Sequence, residues 1–118
     1  VDYKELRFWQ KALDLADMIY NEVGGFPKEE TFGLTSQIKR AAISVMSNIA
    51  EGSARGTTKE YLRFLSMAKG SLKEVEAQLI FAERRKFISE SSLEKYMSET
   101  NSIGKMITKM QQSLREKL

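Results

Sequence analysis

From Tyr61 to Ala82 the apolar residues Tyr61, Leu65, Ala68, Leu72, Val75, Leu79 and Ala82 alternate steps of four and three without a break. This spacing keeps one face of a long α-helix apolar, and it is incompatible with a strand, whose faces alternate at every residue. It predicts a helix over about 58–86, roughly 40 Å long at 1.5 Å rise per residue. Such a helix needs partners for its apolar face, and three further segments supply them. Trp9, Ala12, Leu13, Ala16, Ile19, Tyr20 and Val23 mark a helix over 7–23, ended by Gly24-Gly25. Ile38, Ala41, Ala42, Val45, Met46 and Ile49 mark one over 35–51, with Thr35 as its N-cap and Gly52 at its end. Leu93, Tyr96, Thr100, Ile103, Ile107, Met110 and Leu114 mark a fourth over 92–116.

The segments between them read as turns. Thr57-Thr58-Lys59-Glu60 and Ser91-Ser92-Leu93-Glu94 both fit the capping-box pattern that starts a helix. The single proline, Pro27, falls in the connector 26–34, where its fixed φ opens a short helical turn. No stretch keeps the strict alternation of a strand, and no internal repeat or linker divides the chain. The expected fold is all-α: one domain over 1–118, an antiparallel up-down-up-down four-helix bundle with helices crossing near about +20°.

The chain has no histidine and no cysteine. That removes the usual acid-base residue, thiol nucleophiles, disulfides, zinc-thiolate sites and the Glu-x-x-His ligand pairs of di-iron bundles. Glu74, Glu76 and Glu83 read as a solvated face. Ser-x-x-Lys occurs at Ser36–Lys39 and Ser66–Lys69, but inside predicted helices and without the companion motifs of serine β-lactamases. Gly104-Lys105 is followed by Met106, where a P-loop needs Ser or Thr. The expectation is a non-enzyme with no catalytic residue, cofactor or metal. No apolar run approaches the roughly 18 residues that span a bilayer, and no signal-peptide pattern is present. The expected location is the cytoplasm.

Charge is unevenly distributed. Residues 1–33 carry four basic and seven acidic side chains, residues 34–73 seven basic against Glu51 and Glu60, and the remainder eight against seven. At 100° per residue, Lys59, Arg63, Lys69 and Lys73 share one arc of the third helix, roughly opposite its apolar seam, with Arg55 at the end of the stripe. Two readings stand side by side: contact with a phosphate backbone, or an ordinary solubilising face. A few apolar residues lie off the seams. Leu62 and Ile80 project to one side of the third helix, and Phe8, Leu15 and Met18 widen the stripe of the first. They are either scattered surface residues or a self-association surface, with Phe8, Leu15, Leu62 and Ile80 the interface candidates. Asn48, Glu51, Gly52 and Arg55 cluster around the second turn. They are read as structural: Asn48 bonding exposed backbone at the helix end, and Glu51 pairing with Arg55 four residues on.

The connector FPKEETFGLTSQIKRAA, followed by SNIAEGSARGTTKEYLRFLSMAKGSLKEVEAQL, closely resembles the 23S ribosomal RNA intervening-sequence protein family. The similarity begins at Phe8-Trp9-Gln10-Lys11-Ala12, is most specific over Ser47–Gly52 and weakens in the fourth helix. Met46 stands where members commonly have proline, which implies a second helix without a proline kink. The resemblance implies a four-helix bundle that assembles as a homopentamer, with no enzymatic activity established. Related proteins are encoded within insertions in ribosomal RNA genes, and a similar one is the accessory subunit beside the reverse transcriptase of diversity-generating retroelements. It therefore implies association with RNA, DNA or a ribonucleoprotein. The alternative is a structural or adaptor protein with protein partners only.

Overall fold

The long apolar seam between Tyr61 and Ala82 does form one uninterrupted helix, and three others pack around it. The computed structural model describes residues 2–118. Its four helices are α1 (Arg7–Val23), α2 (Leu34–Ala54), α3 (Thr58–Arg84) and α4 (Glu90–Arg115), with single 3-10 turns at Tyr3–Glu5 and Lys28–Glu30. No strand occurs among the described residues.

The helix ends show which local signals prevailed. Thr57 caps α3 as its motif predicts, its hydroxyl accepting from the Glu60 amide at 3.2 Å. The Glu60 carboxylate turns outward instead of back to the cap, and accepts from Arg63 Nε at 3.0 Å. Two other starts differ from expectation. α2 begins one residue before Thr35, and its orphan Leu34 amide is met at 3.2 Å by the carboxylate of Glu30 in the preceding 3-10 turn. α4 begins at Glu90, because Ser89, two residues ahead of the predicted box, accepts from the Ser92 amide at 3.1 Å. α2 also runs past Gly52 to Ala54, and continues unbroken through Met46.

α3 stops at Arg84, two residues earlier than the periodicity suggests. Lys86 takes a left-handed conformation, φ 64°, the only non-glycine to do so among the described residues. The Phe87 amide donates to Ala82 and the Lys86 amide to Glu83, both at 2.8 Å, the two bonds of a Schellman ending. A side chain at such a position is strained by about 1 kcal/mol relative to glycine. Lys86→Gly is therefore expected to raise stability by about 0.5–1 kcal/mol, measured by urea denaturation with an unchanged m-value. Phe87 then reaches Phe26 in the α1–α2 connection, ring centroids 5.5 Å apart, so two connections are pinned together at one end.

Side-chain contacts establish the direction of every helix. Trp9 Nε1 donates to the Met46 carbonyl while Lys39 lies over the Tyr20 ring, so α1 and α2 run oppositely. Ser44 meets Ser71, and Gly52 meets Phe64, which makes α2 and α3 antiparallel. Glu76 meets Thr100, and Ser66 meets Gln111, which does the same for α3 and α4. Tyr96 donates to the Met18 carbonyl and Lys11 pairs with Glu99, which closes the ring between α4 and α1. Diagonal helices do not pack, giving an up-down-up-down bundle of 46 × 24 × 20 Å.

One apolar core runs down the bundle axis. It overturns part of the reading of α1. Phe8 and Leu15, expected to widen the stripe toward a partner, are 6% and 1% exposed and belong to the subunit's own core. Leu13 and Tyr20, expected on the seam, are 37% and 46% exposed. The true seam is Phe8, Ala12, Leu15, Ala16, Ile19 and Val23, one arc of the helix, and its partners α2 and α4 select it over the neighbouring arc. Tyr96 is the polar anchor on that side. Its burial, reinforced by the Glu22 carboxylate, pushes the phenol well above its ordinary pKa, so it stays a donor to Met18 and Glu22.

Candidate nucleic-acid interface

The basic stripe of α3 is solvent-facing but not free of partners. Arg63 pairs with Glu60 at 3.0 Å and Lys73 with Glu76 at 3.1 Å, each three residues along the helix. The hydrogen bond from Arg63 holds the Glu60 carboxyl below its ordinary pKa. Arg55, just beyond α2, pairs with Glu51 at 3.6 Å. The Arg63 and Arg55 pairs are exposed and worth about 0.2–1 kcal/mol each, whereas the Glu76 side chain is only 12% exposed and is also held by Thr100. Lys69 Nζ donates to Thr108 Oγ1 of α4 at 3.1 Å. Lys59 is exposed and has no ion pair among the described residues.

Two of these groups are joined through an aromatic ring. The guanidinium carbons of Arg55 and Arg63 lie 4.7 and 5.0 Å from the centre of the buried Phe64 ring. Residues from different segments are thereby brought side by side, their N–H edges paired at the surface with Glu51 and Glu60. Gly52 makes this junction possible. It is buried inside α2, not at a turn, and a Cβ placed there would stand 2.7 Å from Phe64 Cβ and 3.1 Å from Tyr61 Cδ1. Only hydrogen at that position lets α2 and α3 approach so closely. Asn48 likewise lies within α2, away from the helix end. Its amide donates to the Ser44 carbonyl and hydroxyl at 2.9 and 3.0 Å, and Ser71 of α3 donates to the same hydroxyl at 2.9 Å. It serves an interhelix polar contact, not the orphan backbone of the turn.

The bundle adds two cations that the sequence reading left out. Lys105 and Lys109 of α4 line a groove whose opposite side carries Lys69 and Lys73 of α3. Four lysines face one glutamate, Glu76, so the groove's excess of three positive charges equals the formal net charge of the whole chain. The available signal was the one-turn spacing of Lys105 and Lys109. It was not decisive because the register between α3 and α4, not spacing along either helix, sets the two pairs opposite one another.

Of the proposed interface residues, Leu62 is half-buried against the core and Ile80 is 49% exposed. Phe81, next to Ile80, is 51% exposed, and Phe32 in the α1–α2 connection is 97% exposed; neither was singled out by periodicity. Among the described residues, no cluster of His, Cys, Asp or Glu is placed to hold a metal, and no helix is long and apolar enough to cross a membrane.

Comparison with known proteins agrees with this architecture. A solved structure from Bacteroides thetaiotaomicron, a protein of unknown function from the S23 ribosomal protein family, superposes with a TM-score of 0.82. It is 23% identical, with 89% of this chain and 95% of that chain covered, a likeness of fold. No curated protein matches the chain. The model of the 23S rRNA-intervening sequence protein family matches residues 4–109. Spanning nearly all of four helices whose order and packing are those just described, that match places the chain in the 23S rRNA-intervening sequence protein family.

Proposed function

We propose that this protein is a non-enzymatic, oligomeric cytoplasmic bundle that binds nucleic acid weakly and without sequence preference through the basic face of α3. The observation that carries the reading is the concentration of Arg55, Lys59, Arg63, Lys69 and Lys73 along one side of the bundle, with Arg55 and Arg63 ordered on Phe64. The family's name, which ties it to intervening sequences of 23S rRNA, supports a nucleic-acid context. So does the resemblance to accessory proteins of reverse transcriptases. One subunit offers about four or five phosphate contacts, which gives only modest affinity. A homopentamer, as the resemblance implies, repeats the face around its axis and multiplies the contacts available to one flexible strand.

Charge reversal tests this directly. Arg63→Glu with Lys73→Glu is expected to weaken binding of single-stranded RNA or DNA by about tenfold or more at about 50 mM salt, leaving helicity and oligomer size unchanged. For the parent, four contacts to a single strand predict a roughly fifty-fold loss of affinity between about 50 and 200 mM salt. Equal binding by the double variant, or no binding by the parent at low salt, removes the proposal. A second reading, an adaptor with protein partners only, draws on the exposed Phe32, Ile80 and Phe81. It predicts capture of partners that survives added salt, since apolar burial is not screened.

A further inference from the structure

The groove between α3 and α4 has a volume of about 720 Å³, within the range of about 300–1,000 Å³ typical of small-ligand sites. Lys69 and Lys73 stand along one wall, Lys105 and Lys109 along the other. Within each pair the lysines are one turn apart, about 6 Å along the helix axis. Polar side chains from both helices lie among them, within a lining that is mostly apolar. Thr108 accepts from Lys69 at 3.1 Å, and Thr100 donates to Glu76 Oε2 at 2.8 Å. Glu76, the one carboxylate lining the groove, is already engaged by Thr100 and by Lys73. Lys105 and Lys109 have no ion pair among the described residues, although each is exposed to solvent.

What leaves the groove open is a pair of glycines on facing helices, Gly70 and Gly104. Both sit in helix interiors, where glycine is unfavourable. Neither has a positive φ, and a Cβ on either meets no atom within 4 Å. Backbone conformation and packing in the subunit therefore leave their presence unexplained, in contrast to Gly52. Their shared consequence is a lining that carries no side chain at these two positions, beside Leu72 and Asn101. A second copy docking by the same face sets lysine against lysine. A row of anionic groups is complementary to it.

We propose that the α3–α4 groove binds consecutive phosphates, held between Lys69 and Lys73 on one side and Lys105 and Lys109 on the other. The phosphates belong either to a free oligophosphate or to a single-stranded phosphodiester. The second source rests on the nucleic-acid reading above, and the first does not. Unlike the outer face, the groove requires α4 and the space left open at Gly70 and Gly104.

Two double variants separate these ideas. Gly70→Leu with Gly104→Leu fills the groove and keeps every charge, and Lys105→Glu with Lys109→Glu reverses the α4 wall alone. The probes are inorganic tripolyphosphate, followed by calorimetry, and a short labelled oligothymidylate, followed by anisotropy, both at about 50 mM salt. Both variants are expected to lose about tenfold or more in affinity for whichever probe the parent binds, with helicity and oligomer size kept. Loss confined to tripolyphosphate identifies a free oligophosphate as the source, and loss confined to the oligonucleotide identifies a strand. If the leucine pair disturbs folding, the alanine pair, expected to raise the melting temperature, replaces it. The proposal fails if the parent binds neither probe, if the filled variant binds as the parent does, or if filling changes the oligomer size, which makes the groove a subunit contact. If filling spares oligonucleotide binding that Arg63→Glu with Lys73→Glu abolishes, and the parent does not bind tripolyphosphate, the groove fails while the outer-face reading stands.

Discussion

Gly52→Ala is expected to lower the melting temperature by about 8 °C, at roughly 4 °C per kcal/mol for a chain of this length. The added methyl would lie 2.7 Å from Phe64 Cβ and 3.1 Å from Tyr61 Cδ1. Phe64 Cβ is fixed to the backbone of α3, so it cannot rotate away; the helices must separate. Overpacking of this kind costs about 1–3 kcal/mol and occasionally more, and better helix propensity returns only part of it, about 1 kcal/mol. A net loss of about 2 kcal/mol follows from a cost at the upper end of that range, because the shift would also loosen the contact of Phe64 with Arg55 and Arg63. The same substitution at Gly104, where a Cβ meets nothing within 4 Å, is expected to raise stability by about 0.5–1 kcal/mol. Thermal denaturation of both variants checks the pair. Equal effects of the same sign would show that α2 and α3 do not cross as described.

Leu15→Ala is expected to destabilise the protein by about 3 kcal/mol, within the 2–5 kcal/mol typical of a buried leucine truncation. Leu15 is 1% exposed and surrounded by the core, so its removal leaves a cavity that the neighbouring helices fill only in part. Ile80→Ala, at a side chain 49% exposed, should change stability by less than about 0.5 kcal/mol. The decisive measurement is denaturant unfolding at several protein concentrations. A Leu15→Ala loss that is the same at every concentration belongs to the subunit core. A loss that grows on dilution would return Leu15 to a subunit interface, because dissociation couples stability to concentration. Ile80→Ala carries the converse expectation: if α3 presents this face to a second copy, light scattering will show smaller particles without loss of helicity.

Much of the bundle was legible in the one-dimensional pattern, and the reason is local. Steps of three and four define a helix face whatever surrounds it, so the seam from Tyr61 to Ala82 could be read directly, as could the Thr57 cap. Short connections then leave little choice but antiparallel neighbours. Where two signals competed within a few residues, as Ser89 against Ser91, or Glu30 against Thr35, choosing between them required knowing where the preceding chain was held.

The amino-acid order alone therefore determined the number of helices, their alternation, the absence of histidine and cysteine chemistry and the excess of basic residues over 34–73. Tertiary structure decided which of two adjacent arcs of α1 faces inward, because Phe8 and Leu15 or Leu13 and Tyr20 both satisfy helical periodicity and only packing against α2 and α4 distinguishes them. It decided that Gly52 is a close contact and not a stop, since the distance to Phe64 depends on how two helices cross. It also set Lys105 and Lys109 opposite Lys69 and Lys73. Periodicity is a property of one helix at a time, whereas a groove exists only between two, and its register comes from side chains interlocking across the bundle.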